Sequence, residues 1–128
     1  MGRIVTNVVI SNVSDAAASL KCDALVDTGA AYMVLPTAWK SRLGNLEITR
    51  TVELELGNQS RATGEVCGPV RIEIDGFPPI FNEVLFVDMA PSNGSYEPLI
   101  GYVILEQSQA AVDMVGHRLI HVKKVDLK

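Results

Sequence analysis

Asp27-Thr28-Gly29-Ala30 is the stretch of this 128-residue chain whose residue types and order could do chemistry. It holds the single Asp-Thr-Gly of the sequence and follows an apolar run, Ala24-Leu25-Val26. An acid at the end of a buried strand presents its carboxylate at a reactive centre, where it can act as general acid or general base. The Thr28 hydroxyl can bond to a neighbouring loop. Gly29 removes a Cβ where backbone must turn and another molecule must approach. Asp-Thr-Gly also occurs as an ordinary turn. Three features separate the two readings: the apolar residues before it, the small Ala30-Ala31 after it, and a later apolar-apolar-Gly element, Leu99-Ile100-Gly101, placed before a helix-like segment.

The other reactive side chains are scattered. Cys22 and Cys67 are too few for a disulfide framework and are expected to be buried, reduced thiols. His117 and His121 stand four apart, but Gly116 and alternating apolar residues make that segment a hairpin, so no metal site is expected. Trp39 is read as a core residue, Asp113 as part of the solvated face of a strand, and Asp75 as a turn former. Asn12-Val13-Ser14 fits the glycosylation pattern but is read as turn chemistry.

Composition narrows the classes. The length suits one domain spanning residues 1–128 with a modest core. Hydrophobic residues make up 48% and mean hydropathy is +0.22, which leaves apolar surface for an oligomer contact. A net charge of −4 with no basic stripe argues against nucleic acid as a partner. No apolar run reaches the roughly 18 residues of a membrane span. The first residues lack a signal peptide's apolar stretch, so no membrane partner and a cytoplasmic location are expected.

The elements that must position Asp27 are mostly strands. Ile4–Ile10 is rich in Val and Ile, Ser11–Ser19 is expected to be a polar connection, and Leu20–Val26 is the strand that delivers the acid. Met33–Pro36 is extended, and Thr37 is expected to cap a short helix, Ala38–Leu43. Thr51–Leu56 alternates strictly, with Val52 and Leu54 opposite Glu53 and Glu55. A turn at Gly57-Asn58 then returns it as Gln59–Val66. Val70–Ile74 and Ile80–Val87 flank a turn at Asp75-Gly76. After a Pro-rich loop come the short strand Leu99-Ile100, a helical turn or two over Gly101–Gln107, and a last hairpin, Ala111–Val115 with Arg118–Val122. The class is all-β with one or two short helices.

Asp27-Thr28-Gly29 followed by Leu99-Ile100-Gly101, once each on a short chain, resembles the retropepsin-like aspartic proteases of the retroviral type. It looks most like their small prokaryotic single-domain members, whose closing hairpin Val112-Asp113 and Arg118-Leu119 resemble. The resemblance covers most of the chain. It implies a closed β-barrel with one lobe per chain, and a homodimeric endopeptidase that activates water between two Asp27 carboxylates, one from each chain. It implies Asp27 as the catalytic acid, Thr28 as a dimer-locking hydroxyl with Gly29 in the same loop, and Gly29, Ala30 and Ala31 as substrate contacts. Gly57 and Asn58 would stand at the tip of a flap over the substrate, and Leu99 would line the pocket. The implied partners are a second copy and a peptide or protein substrate, with no cofactor and no metal. The chain ends, Ile4–Ile10 and Arg118–Val122, are expected to be unpaired edges that add interface strands. Ala31 and Tyr32 stand where viral enzymes often have an acidic residue that grips the substrate backbone. The alternative is therefore a catalytically weak dimeric peptide-binding or scaffold module of the same fold.

Overall fold

Period-2 spacing of apolar residues builds the first strand. β1 (Val5–Asn12) buries Val8, Ile10 and Asn12 on one face. It turns at Val13-Ser14 into β2 (Asp15–Val26), in antiparallel register from Val5 opposite Leu25 to Ser11 opposite Ser19. The computed structural model describes residues 3–55, 61–91 and 93–123. The expected connection Ser11–Ser19 is thus almost all strand. Its polar and Ala residues occupy the exposed part of a ladder whose backbone hydrogen bonds decide the matter. Asn12 makes the turn possible. Its side-chain N–H donates to the Leu43 carbonyl at 2.9 Å and the Asn45 carbonyl at 3.1 Å, while its carbonyl oxygen accepts the Ser14 N–H at 2.8 Å. This commitment of both ends of the side chain bears out the turn reading of Asn12.

β3 (Met33–Pro36) is wholly buried and leads into a 3-10 helix, Thr37–Leu43. Pro36, not Thr37, holds the capping position, and no side chain caps the helix. A tight turn fixed by the proline's own φ needs no hydroxyl cap. Trp39 packs half-buried against the core, edge-on to Tyr96, with the Arg42 guanidinium over its ring. β4 (Glu47–Glu55) runs antiparallel to β5 (Arg61–Ile74), a single 14-residue strand where two were expected. The interruption at Gly68-Pro69 is absorbed as a bulge against β6 (Ile80–Val87) between Cys67 and Val70. Val52 and Leu54 are half-buried and Glu53 and Glu55 exposed, as the alternation requires. Gly57 and Asn58 lie outside the described residues.

β7 (Leu99–Ile100) is followed by α1 (Tyr102–Gln107) and a separate two-stranded ribbon, β8 (Ala110–Asp113) with β9 (Arg118–His121). The main sheet has the order β1-β2-β7-β3-β6-β5-β4, and a further pairing of β1 with β5 closes it into a barrel. β1 is therefore paired on both sides from Val8 to Asn12. The expectation that Ile4–Ile10 forms an open edge fails over Val8–Ile10, which barrel closure pairs with β5, while Val5 and Thr6 pair with β2 only. The β8–β9 ribbon does stand apart from that sheet.

Two apolar clusters result. The larger fills the barrel with fully buried Val8, Ile10, Leu35, Val70, Ile72 and Phe86, among others. The smaller joins Val34, Val66 and Leu85 to half-buried Tyr32, Val52, Leu54 and Leu99. Among the described residues no helix is long and apolar enough to cross a membrane.

Candidate active site

β2 carries Asp27 to the end of the sheet, and β7 fixes where it stops. Leu25 and Val26 pair in parallel with Leu99 and Ile100. The Asp27 N–H then donates to the Ile100 carbonyl at 3.0 Å, so the backbone of the acid is held by the second motif. Beyond Asp27 the chain turns tightly, the Ala30 N–H donating to the Asp27 carbonyl at 3.1 Å. The carboxylate stays half-exposed and accepts the Gly29 N–H on Oδ1 at 2.9 Å.

The same loop is pinned from behind. Gly101 N–H donates to the Tyr32 carbonyl at 2.9 Å, Tyr102 N–H to Ala30 at 2.7 Å, and Val103 N–H to Ala31 at 3.2 Å. Gly101 passes so close that an added Cβ would lie 2.4 Å from the Ala31 carbonyl carbon and 2.5 Å from the Tyr32 oxygen. Only a residue without a side chain allows that approach. The pairing of Asp-Thr-Gly with apolar-apolar-Gly is thus physical: the second motif supplies acceptor and donors to the backbone of the first.

The expected site residues sit as follows. Asp27, Thr28, Gly29, Ala30 and Ala31 form one continuous loop, with Thr28 and Gly29 exposed. Leu99 pairs with Val34 across the sheet and joins the smaller apolar cluster beneath the β4–β5 hairpin. A cavity of about 410 Å³ is lined by Asp27 and Thr28 and walled by Ile4, Leu25, Val26, Val112 and Met114. Sequence reading did not single out Ile4, Val112 and Met114 as its walls. The ribbon brings the last two there.

Asp113 ends β8 on its solvated side, as expected, and its carboxylate is also fully engaged. Its Oδ1 accepts the N–H groups of Gly116 at 2.9 Å and Val115 at 3.2 Å, and its Oδ2 accepts Arg118 Nε at 3.2 Å. The Gly116 N–H foremost, with Arg118 and Val115 behind it, holds the Asp113 carboxyl below the ordinary carboxylate range. The carboxylate therefore organises the turn of the ribbon that walls the cavity. Cys22 and Cys67 are buried and free. Burial, with Asp23 adding to it, pushes the Cys22 thiol up to about 11, and burial raises Cys67 likewise.

Solved structures with this architecture include the EIAV protease complexed with the inhibitor HBY-793. It is 25% identical over 83% of this chain and 88% of that one, with a TM-score of 0.57. The retroviral protease-like domain of Ddi1 from Leishmania major matches 94% of this chain and 90% of its own at 16% identity, with a TM-score of 0.56. The fold is retropepsin-like. No family model matches the chain, and no curated protein matches it either.

Proposed function

We propose that this retropepsin-like chain is a homodimeric aspartic endopeptidase, in which Asp27 and the Asp27 of a second copy activate one water between them. The observation that carries the reading is the locked union of the two motifs. A half-exposed carboxylate is set at a strand end, with its backbone bonded to Ile100 and its loop wedged against Gly101. Water activation on an amide needs a second carboxylate, and the chain has one Asp-Thr-Gly. An isologous two-fold contact supplies the other.

Two carboxylates about 3 Å apart cannot both ionise, so the pair shares one proton. The charged member takes a proton from water as the water oxygen bonds to the substrate carbonyl carbon. The neutral member gives its proton to the carbonyl oxygen. In the second half the amide nitrogen is protonated, the C–N bond breaks, and acid and amine leave. Thr28 bonds across the two-fold axis, the backbone of Gly29, Ala30 and Ala31 meets the substrate, and Leu99 contributes a pocket wall. The whole chain, 1–128, acts as one such lobe.

The test is cleavage of a peptide library by the purified chain, with and without pepstatin. Asp27→Asn keeps the shape of the side chain but removes the base, and should lower the rate about 10²- to 10⁴-fold or more. Full activity in Asp27→Asn would sink the assignment. A strict monomer that still cleaves would sink the two-chain mechanism. Tight peptide binding without turnover by the unaltered chain would favour the scaffold module, the reading to which Ala31 and Tyr32, lacking an acid, lend weight.

A further inference from the structure

β4 is the last strand of the sheet order, hydrogen-bonded on one side only. Its far end, Glu53–Glu55 opposite Thr63–Arg61, lies past Gly64, the last β5 residue that pairs with β6. Past that point the angle of this arm is open to side chains reaching back. Two of them, Thr49 and Arg50, do so at one place. The β4–β5 register slips between Ile48 and Arg50, a bulge that leaves Thr49 out of the pairing. Bulges re-aim side chains and are frequent beside active sites. Here the bulge turns Thr49 and Arg50 toward the barrel. The Thr49 hydroxyl shares its one proton between two acceptors, the Glu83 carboxylate of β6 and, at 3.2 Å, the Val66 carbonyl of β5. Arg50 Nη1 donates to Glu83 at 3.2 Å, its Nη2 donates to the Tyr32 hydroxyl, and the guanidinium lies over the Tyr32 ring at 5.6 Å.

Tyr32 is the informative end of this chain of contacts. Its backbone carbonyl accepts the Gly101 N–H, which makes it part of the brace under the Asp27 loop. Its side chain also packs in the smaller apolar cluster with Val52 and Leu54 of the arm. One residue thus touches the loop that carries the acid, the strand that carries the arm, and the apolar groove between them. Arg50 has the same strand parity as Val52 and Leu54, so it continues their row on the groove side of β4.

We propose that Tyr32, Arg50 and Glu83 form a positioning network that fixes the β4–β5 arm relative to the Asp27 loop and so sets the width of the substrate groove. The proposal rests on the groove being the peptide site. Its residues do not touch the reacting atoms. The exposed ion pair by itself contributes little to global stability. The network's effect is on geometry, because it links β4 directly to β6 and to the Asp27 loop, two elements that are not β4's neighbours in the sheet.

The experiment compares the full-length chain with Tyr32→Phe, Arg50→Gln, the double variant and Arg50→Lys, by amide hydrogen exchange without ligand. Arg50→Gln should exchange roughly fivefold faster at residues 53–55 and 61–63, the scale of one exposed ion pair, and Tyr32→Phe, which removes only the hydroxyl contact, should exchange faster by a smaller factor, with Ile72 and Ile74 in the barrel unmoved in both. The double variant should be no faster than Arg50→Gln alone, since that variant already removes the partner of the Tyr32 hydroxyl, and Arg50→Lys should restore part of the protection. In peptide cleavage KM should rise more than kcat falls. Unchanged exchange at the arm in Tyr32→Phe, or effects that simply add, would overturn the proposal. Tyr32→Phe removes one hydroxyl and retains the ring, so it keeps the test alive if Arg50→Gln does not fold. If the unaltered chain cleaves no peptide, the endopeptidase reading falls and the exchange rates still decide whether the network holds the arm.

Discussion

The barrel interior and the cluster beneath the β4–β5 hairpin are made of the same kinds of side chain, yet they are finished differently. In the barrel, Val8, Ile10, Ile72, Phe86 and Ile104 are sealed on every side. In the smaller cluster only Val34, Val66 and Leu85 are buried, while Tyr32, Val52, Leu54 and Leu99 remain half-open. The barrel converts apolar surface into stability. The smaller cluster leaves apolar surface unspent, which is what the proposed substrate groove requires. The backbone follows the same division. The Asp27 loop hangs on backbone hydrogen bonds to β7 and α1, whereas the described part of the hairpin past Gly64 has no backbone pairing to β6, and side chains of β4 reach back across the sheet from its base.

That contrast breaks most visibly in the barrel. Phe86→Ala should cost about 3–5 kcal/mol of unfolding free energy, because a 1% exposed ring leaves a cavity its neighbours cannot close. Denaturant titration reads this directly, and a loss under about 1 kcal/mol would mean that the barrel is as loosely filled as the groove.

Gly101→Ala comes next and tests the brace. The new methyl meets backbone of Ala31 and Tyr32, which cannot rotate away as a flexible side chain would. A destabilisation of about 1–3 kcal/mol is expected, together with loss of peptide cleavage, as the Asp27 loop is pushed from its position. Wild-type stability and activity in this variant would show that the two motifs are merely neighbours.

Leu54→Ala should invert the pattern of Phe86→Ala. Stability should change by less than about 1 kcal/mol, because the side chain is already half in water, while KM for peptide rises. A large stability loss with unchanged KM would move Leu54 from the groove into the core.

The smallest effect is at the ribbon that walls the cavity beside Asp27. Asp113 is held below its ordinary value, so its bonds to Gly116, Val115 and Arg118 add stability at and above the ordinary carboxylate range. That addition is lost as pH falls through the folded-state value, when the protonated group can no longer accept them all. Local amide exchange at Val115 and Gly116 should accelerate on acidification in the natural chain and be pH-independent, beyond the intrinsic exchange chemistry, in Asp113→Asn. Parallel pH profiles would remove Asp113 from this role.

Much of the local structure was legible because it is periodic. Val52 and Leu54 against Glu53 and Glu55, and Val70, Ile72 and Ile74 against Arg71 and Glu73, put apolar residues on one face of a strand by geometry alone. The Asp27 motif and its partner Leu99-Ile100-Gly101 were legible from residue type and order. Ser11–Ser19 was misread because polar residues in a half-exposed ladder carry no apolar signal. Thr37 was misread because a hydroxyl in capping position does not reveal whether a proline has already set the turn. Arg50 offered a signal that went unused, its parity with Val52 and Leu54.

By itself the sequence determined the strand faces, the one acid delivered at a strand end, and the glycine that would lie against it, since these depend on short-range geometry and residue size. Only the tertiary structure decided that β1 closes the barrel against β5, that Gly101 lies within bonding reach of Ala31 and Tyr32, and that Arg50 reaches Tyr32 and Glu83. Those contacts join residues far apart in the chain. Their partners are chosen by barrel closure and register, which no local spacing encodes.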